Sequence, residues 1–382
     1  MEIEGTLDPK LEPVVEAFLE GFEAGRDVGA SIAVVAGGEL VLNLWHGFTD
    51  RKQTHPWNED TLVCMFSVTK AMTAICVLQA VDRGLLALDE PVAEHWPEFS
   101  ASGKANITLR HLLCHQAGLI GFHQPVPKDI YYHWDAMVAA LAAETPWWEP
   151  GSRHGYHART FGYLLGELLR RVSGRTVGEW FRQEIADPLG LDFSIGVPDS
   201  ELGRCAQMLP ARVRSGEEAQ RPEPMRRMMA DFYDTSTPTG AAFQNPSLGP
   251  GYMNTDAFRR AEMPALNGHG TSRSVATLYA NLPRLVSSSL LEEATRTWSL
   301  GPDLVLKSVT RFGLGFQLHH ELAPIGVCPG SFGHAGAGGS LAFYDPERQI
   351  AFCFAMNQMQ EGVVTGGTSA MTIAQALYEQ IS

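Results

Sequence analysis

The 382-residue chain contains no Cys-x-x-Cys pair, no cysteine–histidine cluster at zinc-ligand spacing, no Gly-x-Ser-x-Gly elbow, no Walker loop and no dinucleotide fingerprint. At the level of motif these absences exclude an α/β-hydrolase nucleophile turn and leave nothing to support a zinc module or a nucleotide cofactor, and no cofactor or metal is expected. Basic residues are scarce: 29 Lys and Arg stand against 43 Asp and Glu, a formal net charge of −14. That balance argues against nucleic acid or an anionic membrane as the main partner and favours a small-molecule substrate. The opening Met1-Glu2-Ile3-Glu4-Gly5 carries acid where an export signal would carry positive charge followed by a long apolar run, which predicts a cytoplasmic protein. With 45% hydrophobic and 19% charged residues the chain reads as soluble and globular, and its length predicts two lobes or one large mixed fold. The six cysteines lie far apart and are expected to be free thiols, mostly buried.

Against this background Ser67-Val68-Thr69-Lys70 stands out, because Lys70 is the one charged residue between Thr61 and Val81. Its neighbours (Leu62, Val63, Met65, Phe66, Ala71, Met72, Ile75, Val77, Leu78) are apolar nearly all round, the pattern of a buried central helix. An ammonium buried without a carboxylate costs several kcal/mol, so it either snorkels to solvent or becomes a neutral amine. A neutral amine is a base, and residues three apart share a helix face, so Lys70 can take the proton of Ser67. The bland alternative is an accidental Ser-x-x-Lys, with Glu59 or Asp60 folding back to pair the lysine. Cys64 is a rival nucleophile by position, but no histidine adjoins it and a small buried hydrophobe is its expected role.

Along the chain, Leu11 to Ala24 has the period of an amphipathic helix, and Ser31–Val35 and Leu40–Trp45 read as strands flanking an Ala36-Gly37-Gly38-Glu39 hairpin turn. A third strand is expected after Gly47. From about Thr61 to Ala265 helical patterns and long loops dominate, including a Thr176–Glu179 capping box and a helix marked by Phe161, Leu164, Leu165, Leu168 and Val172 that closes at Gly174. After Gly270 a helix (Ser274–Leu282) leads to strands at Gly313–His319, Gly339–Tyr344 and Ile350–Met356, then to a last helix, Ser369–Ile381. The expected fold class is α+β, with one antiparallel sheet domain from residues 1–60 and 270–382 and a mainly helical domain with long loops over 61–269. The segment Met208 to Met263, rich in proline and methionine, is either a pocket cover or a plain surface excursion.

Two further motifs follow the Ser-x-x-Lys. Pro150-Gly151 leads to Tyr156-His157-Ala158 at the foot of a helix, and Phe332-Gly333-His334-Ala335-Gly336-Ala337-Gly338-Gly339-Ser340 is a run of small residues that lets a backbone or ligand approach closely. His111 with His115, His154 with His157, and His319 with His320 lack a third ligand and read as core or capping residues.

In this order the three motifs resemble the class C β-lactamase-like serine hydrolases, most closely the family VIII carboxylesterases. Leu109 to Leu119 and Asn267-Gly268-His269-Gly270-Thr271 extend the likeness over nearly the whole chain. The resemblance implies a β-lactamase/transpeptidase-like fold in which Ser67 is the acylated nucleophile and Lys70 and Tyr156 share proton transfer. It implies an oxyanion hole from the backbone N–H groups of Ser67 and Ala337, with substrate contacts at His334, Gly336 and Ala158. Two departures bear on the subclass. His334 stands where lactam-directed relatives carry a lysine, and Ala158 stands where they carry an asparagine, so a cation and an amide are both missing. The expectation is a serine carboxylesterase for small, short-chain esters; a β-lactamase or D-Ala-D-Ala-type peptidase, an acyltransferase, and an idle binding scaffold are the alternatives.

Overall fold

The computed structural model describes residues 3–212, 223–360 and 366–381. Both ends of the chain build one sheet in the order β1–β3–β2–β12–β11–β10–β9–β8–β7, with antiparallel pairing throughout. Its first three strands are β1 (Glu4–Leu7), β2 (Gly29–Ala36) and β3 (Glu39–Gly47). The late strands are β7 (Ser299–Pro302), β8 (Val309–Phe312), β9 (Gln317–Leu318), β10 (Phe332–Ala335), β11 (Leu341–Asp345) and β12 (Ile350–Met356). The seam between early and late halves is β2 against β12, seven registered pairs from Ala30↔Met356 to Ala36↔Ile350.

Side-chain size sorts the two sheet faces, because residues alternate sides along a strand. Ile350, Phe352, Phe354 and Met356 join Ile32 and Val34 in a core with Val14 and Phe18 of α1 (Glu12–Glu23) and with Ile373 and Leu377 of the C-terminal helix (Thr368–Ile381). The intervening Ala351, Cys353 and Ala355 face the other way, where helix Ser272–Ala280 brings Val275 and Tyr279 onto the sheet. The hairpin between β2 and β3 turns on Gly37 (φ +57) and Gly38 (φ +88), a left-handed pair that suits the twist of the strands.

The middle of the chain supplies α2 (Thr69–Asp82), α3 (Leu109–Leu113), α4 (Trp134–Ala143), α5 (Thr160–Ser173) and several shorter helices. In α2 every residue from Thr69 to Ala80 is buried, as its all-round apolar pattern predicts. The capping box at Thr176 and the left-handed Gly174 closing α5 also match expectation. A small antiparallel sheet, β4 (Val63–Cys64), β6 (Gly268–Gly270) and β5 (Phe193–Ile195), also lies here and was not anticipated.

Two strand expectations need correction. After Gly47 there is one isolated bridge, Phe48 with Pro56, and the edge beyond β3 is taken by β1 instead. Gly313–His319 is not one strand: Gly313 to Phe316 form the turn between β8 and β9, where Gly315 (φ +82) lies so close to Ala74 of α2 that a side chain would collide.

Candidate active site

Ser67 sits in a single 3-10 turn, Phe66–Val68, that feeds directly into α2. Phe66 adopts φ +46, an uncommon conformation for a bulky residue, held by local bonds on the next turn. The Thr69 hydroxyl donates to the Phe66 carbonyl (2.5 Å) and accepts from the Gly268 N–H (2.8 Å), while the Met65 N–H donates to the Gly268 carbonyl (3.0 Å). The strained turn is thereby clamped to β6.

One helical turn on, the Lys70 side chain is fully buried. Its Nζ lies 3.2 Å from Ser67 Oγ, 2.8 Å from the Ala158 carbonyl and 2.9 Å from the Ala265 carbonyl, and 4.7 Å from the centre of the Tyr156 ring. Among the described residues no carboxylate reaches it: Glu59 pairs with Arg273 (2.7 Å) and Asp60 with Arg204 (3.4 Å). Burial, and secondarily the nearby positive charge of Arg159, hold the amine well below the usual lysine range.

Tyr156 arrives from the loop before α5. Its backbone N–H donates to Asp303 Oδ1 (3.2 Å), and its ring packs against Phe312 and His115. Burial pushes the phenol up from its ordinary range, and the Ser67 hydroxyl offsets part of that rise. The phenol oxygen is buried, and although the Ser67 hydroxyl is near enough to act on it, no group among the described residues meets it with hydrogen-bond geometry.

His334 lies in β10 with its ring centre 6.1 Å from that of Tyr156. Its Nδ1 donates to the Ala335 carbonyl (2.7 Å), which leaves Nε2 unprotonated and, like the phenol, buried without a partner. Burial, then the Lys70 amine, push this imidazole down to about 3, so it is neutral. Gly336 follows β10, and a Cβ there would overlap the Ser340 side chain and the Met65 carbonyl. This close approach sets Ala337 beside the nucleophile turn.

Ser67, Tyr156, Ala158 and Ala337 thus line one cavity of about 240 Å³, with Lys70 and His334 behind it. A family model described as beta-lactamase matches residues 14–375. The chain belongs to the beta-lactamase family. It is 36% identical to a family VIII carboxylesterase of known crystal structure, with a TM-score of 0.88 and full coverage of both chains. A penicillin-binding protein homologue from Caulobacter crescentus gives 36% identity and a TM-score of 0.89, again over the whole of both chains. The esterase/beta-lactamase LipL of Mycobacterium tuberculosis is 35% identical over 380 residues, covering 94% of this chain and 84% of that one.

This beta-lactamase-family chain assembles its cavity from distant segments. The proline- and methionine-rich stretch, of which 213–222 fall outside the described residues, is a cavity wall, but its aromatic and aliphatic residues form the lining. Phe232, Phe243, Leu248 and Tyr252 face the space with Met359, whereas Met228 and Met229 pack in the layer around Tyr156 and Ala158. The histidine pairs have structural partners. His111 Nδ1 accepts the Thr108 N–H to cap α3, His157 bridges the Gly155 carbonyl and the Leu119 N–H, and His154 Nε2 lies 2.9 Å from Thr310 Oγ1. Among the described residues no group of three or more metal-ligating side chains is arranged to hold an ion. The Cys64 thiol is buried and pushed up to about 12, which removes it as a nucleophile.

Two residues absent from the motif reading matter here. Asp303 is a buried carboxylate that accepts from the N–H groups of Tyr156, Val305 and Leu306 and from the Thr310 hydroxyl (3.2 Å), so it fixes the loop that carries the phenol. No local signal marks it. Arg159 lines the cavity next to Ala158 and does have a signal: an arginine directly after the tyrosine motif, at an N-cap position that arginine does not cap.

Proposed function

We propose that the protein is a serine carboxylesterase that hydrolyses small, short-chain carboxylic esters through an acyl-enzyme on Ser67. The observation that carries this reading is a buried, carboxylate-free amine 3.2 Å from a hydroxyl that lines a cavity. A neutral amine has two hydrogens and one lone pair. Two main-chain oxygens, those of Ala158 and Ala265, take the hydrogens, which leaves the lone pair for the Ser67 proton. Ser67 Oγ attacks the ester carbonyl as its proton moves to Lys70 Nζ, and the Tyr156 phenol passes a proton to the departing alcohol. The backbone N–H groups of Ser67 and Ala337 receive the oxyanion, an interaction whose loss costs about 3 kcal/mol in the transition state. Water then repeats the sequence in reverse roles and releases the acid.

Ester is favoured over lactam by two positions. At the strand position where lactam-directed relatives carry a lysine, His334 is neutral and buried, and Ala158 offers a methyl group where those relatives offer an amide. The name of the LipL relative joins both activities, so the test compares them directly. Turnover of p-nitrophenyl butyrate should exceed that of a chromogenic cephalosporin by a wide margin, and an organophosphonate should add once to the wild-type chain and not to Ser67→Ala. A cephalosporin preference overturns the ester reading. An adduct that survives Ser67→Ala, or no adduct at all, overturns the mechanism and leaves a binding scaffold.

A further inference from the structure

The cavity beside Ser67 has walls of phenylalanine, tyrosine, leucine and methionine, and no carboxylate among its described lining residues. Its one charged lining residue is Arg159. A cation facing an apolar cleft normally has an acidic partner, because an unpaired charge with reduced access to water is costly. Arg159 has none among the described residues. Its Nη1 donates to the Pro246 carbonyl (2.7 Å) and, at 3.4 Å, to the Tyr131 hydroxyl, and its guanidinium lies 5.2 Å from the centre of the Tyr131 ring. Those contacts fix the plane of the group. Among the described residues they leave Nε and Nη2 without an acceptor, and these atoms form the edge that grips a carboxylate through two parallel bonds. Arg159 also stands at the N-terminus of the fourteen-residue α5, where the aligned peptide dipoles add positive potential.

Resting on the esterase reading above, we propose that the preferred substrate is an anionic ester, one bearing a free carboxylate that Arg159 binds while Ser67 attacks the ester carbonyl. The class is a half-ester of a dicarboxylic acid or an ester of a hydroxy acid. Arg159 is then a specificity residue, with apolar contact to the rest of the substrate supplied by Phe232, Phe243, Leu248 and Tyr252. Binding also places a negative charge next to Arg159 and so relieves its effect on Lys70.

Two matched ester pairs test this and locate the carboxylate. The p-nitrophenyl half-ester of adipic acid against its methyl ester places the charge on the acyl side, and 4-acetoxybenzoate against its methyl ester places it on the leaving side. In at least one pair kcat/KM should favour the anion by about tenfold, the scale of a charge-assisted bond. That ratio should shrink with added KCl, collapse to parity or below in Arg159→Gln, and survive in part in Arg159→Lys. If the neutral member is hydrolysed as well as the anion in both pairs, or if the ratio is the same in Arg159→Gln, the anionic-substrate assignment fails while the esterase reading stands. If none of the four esters is hydrolysed and Ser67 takes no phosphonate, both fail together.

Discussion

At the scale of single residues, the decisive group is Lys70. Around it stand Arg159, which is charged, and His115, His157 and His334, each held below its ordinary range by burial. On the proposed mechanism the lysine acts as a neutral base, and replacing either partner in that proton relay should be severe. Lys70→Ala and Tyr156→Phe are each expected to lower the rate of Ser67 acylation by at least about a hundredfold, measured in single turnover. The sign of the pH effect follows from the same surroundings. The base form exists above the Lys70 pKa, so activity falls on the acid side of that value. Arg159 contributes to keeping the value low; removing its charge in Arg159→Gln should therefore move the acid limb of the kcat/KM profile toward higher pH for a neutral ester. An acid limb that stays in place or moves toward lower pH would contradict the assignment of that limb to Lys70.

At the scale of elements, the turn after β10 and the loop before α5 bring their groups to the nucleophile by packing. Gly336 admits no Cβ because Met65 and Ser340 occupy the space, so Gly336→Ala should cost about 1–3 kcal/mol in stability and depress kcat through displacement of Ala337. Chemical denaturation and kinetics on the same preparation read both effects. Asp303→Ala strips four buried donors of their acceptor and should be destabilising by about 2 kcal/mol or more, with a fall in kcat as the Tyr156 loop loosens. What was legible in advance follows the range of the interactions. The burial of α2, the Gly37-Gly38 hairpin and the C-terminal helix are set by periodicity within a dozen residues, and Ser67, Lys70 and Tyr156 stand in short motifs. Strands β1 and β7 and the three-stranded sheet are two to four residues long, and they exist because distant partners pair with them. Asp303 lies 147 positions from the tyrosine it anchors, and nothing near it in the sequence announces the contact.

At the scale of the whole molecule, five histidines are buried and held below their ordinary range. Burial holds His157 and His334 down to about 3 and His269 to about 4, and lowers His115 and His154 as well. An unfolded histidine binds its proton near pH 6.5, whereas these folded ones do not. Stability is therefore complete above about pH 6.5 and is lost as pH falls below it, by about 2 kcal/mol at pH 5 for each group with a value near 3 or 4. Asp27, Glu262 and Asp303, raised by burial, act in the opposite sense and offset part of this loss. The thermal midpoint should drop between pH 7 and pH 5, and a flat profile over that interval would count against the buried neutral imidazoles. The seam between β2 and β12 has a consequence of another kind. Ser67 and the turn bearing Ala337 lie far apart in the chain, and that turn hangs from the sheet that β12 closes against β2. Loosening that seam would leave the proposed serine–lysine pair without its second oxyanion donor, so on the proposed mechanism acyl transfer depends on strand pairing well away from the reacting atoms.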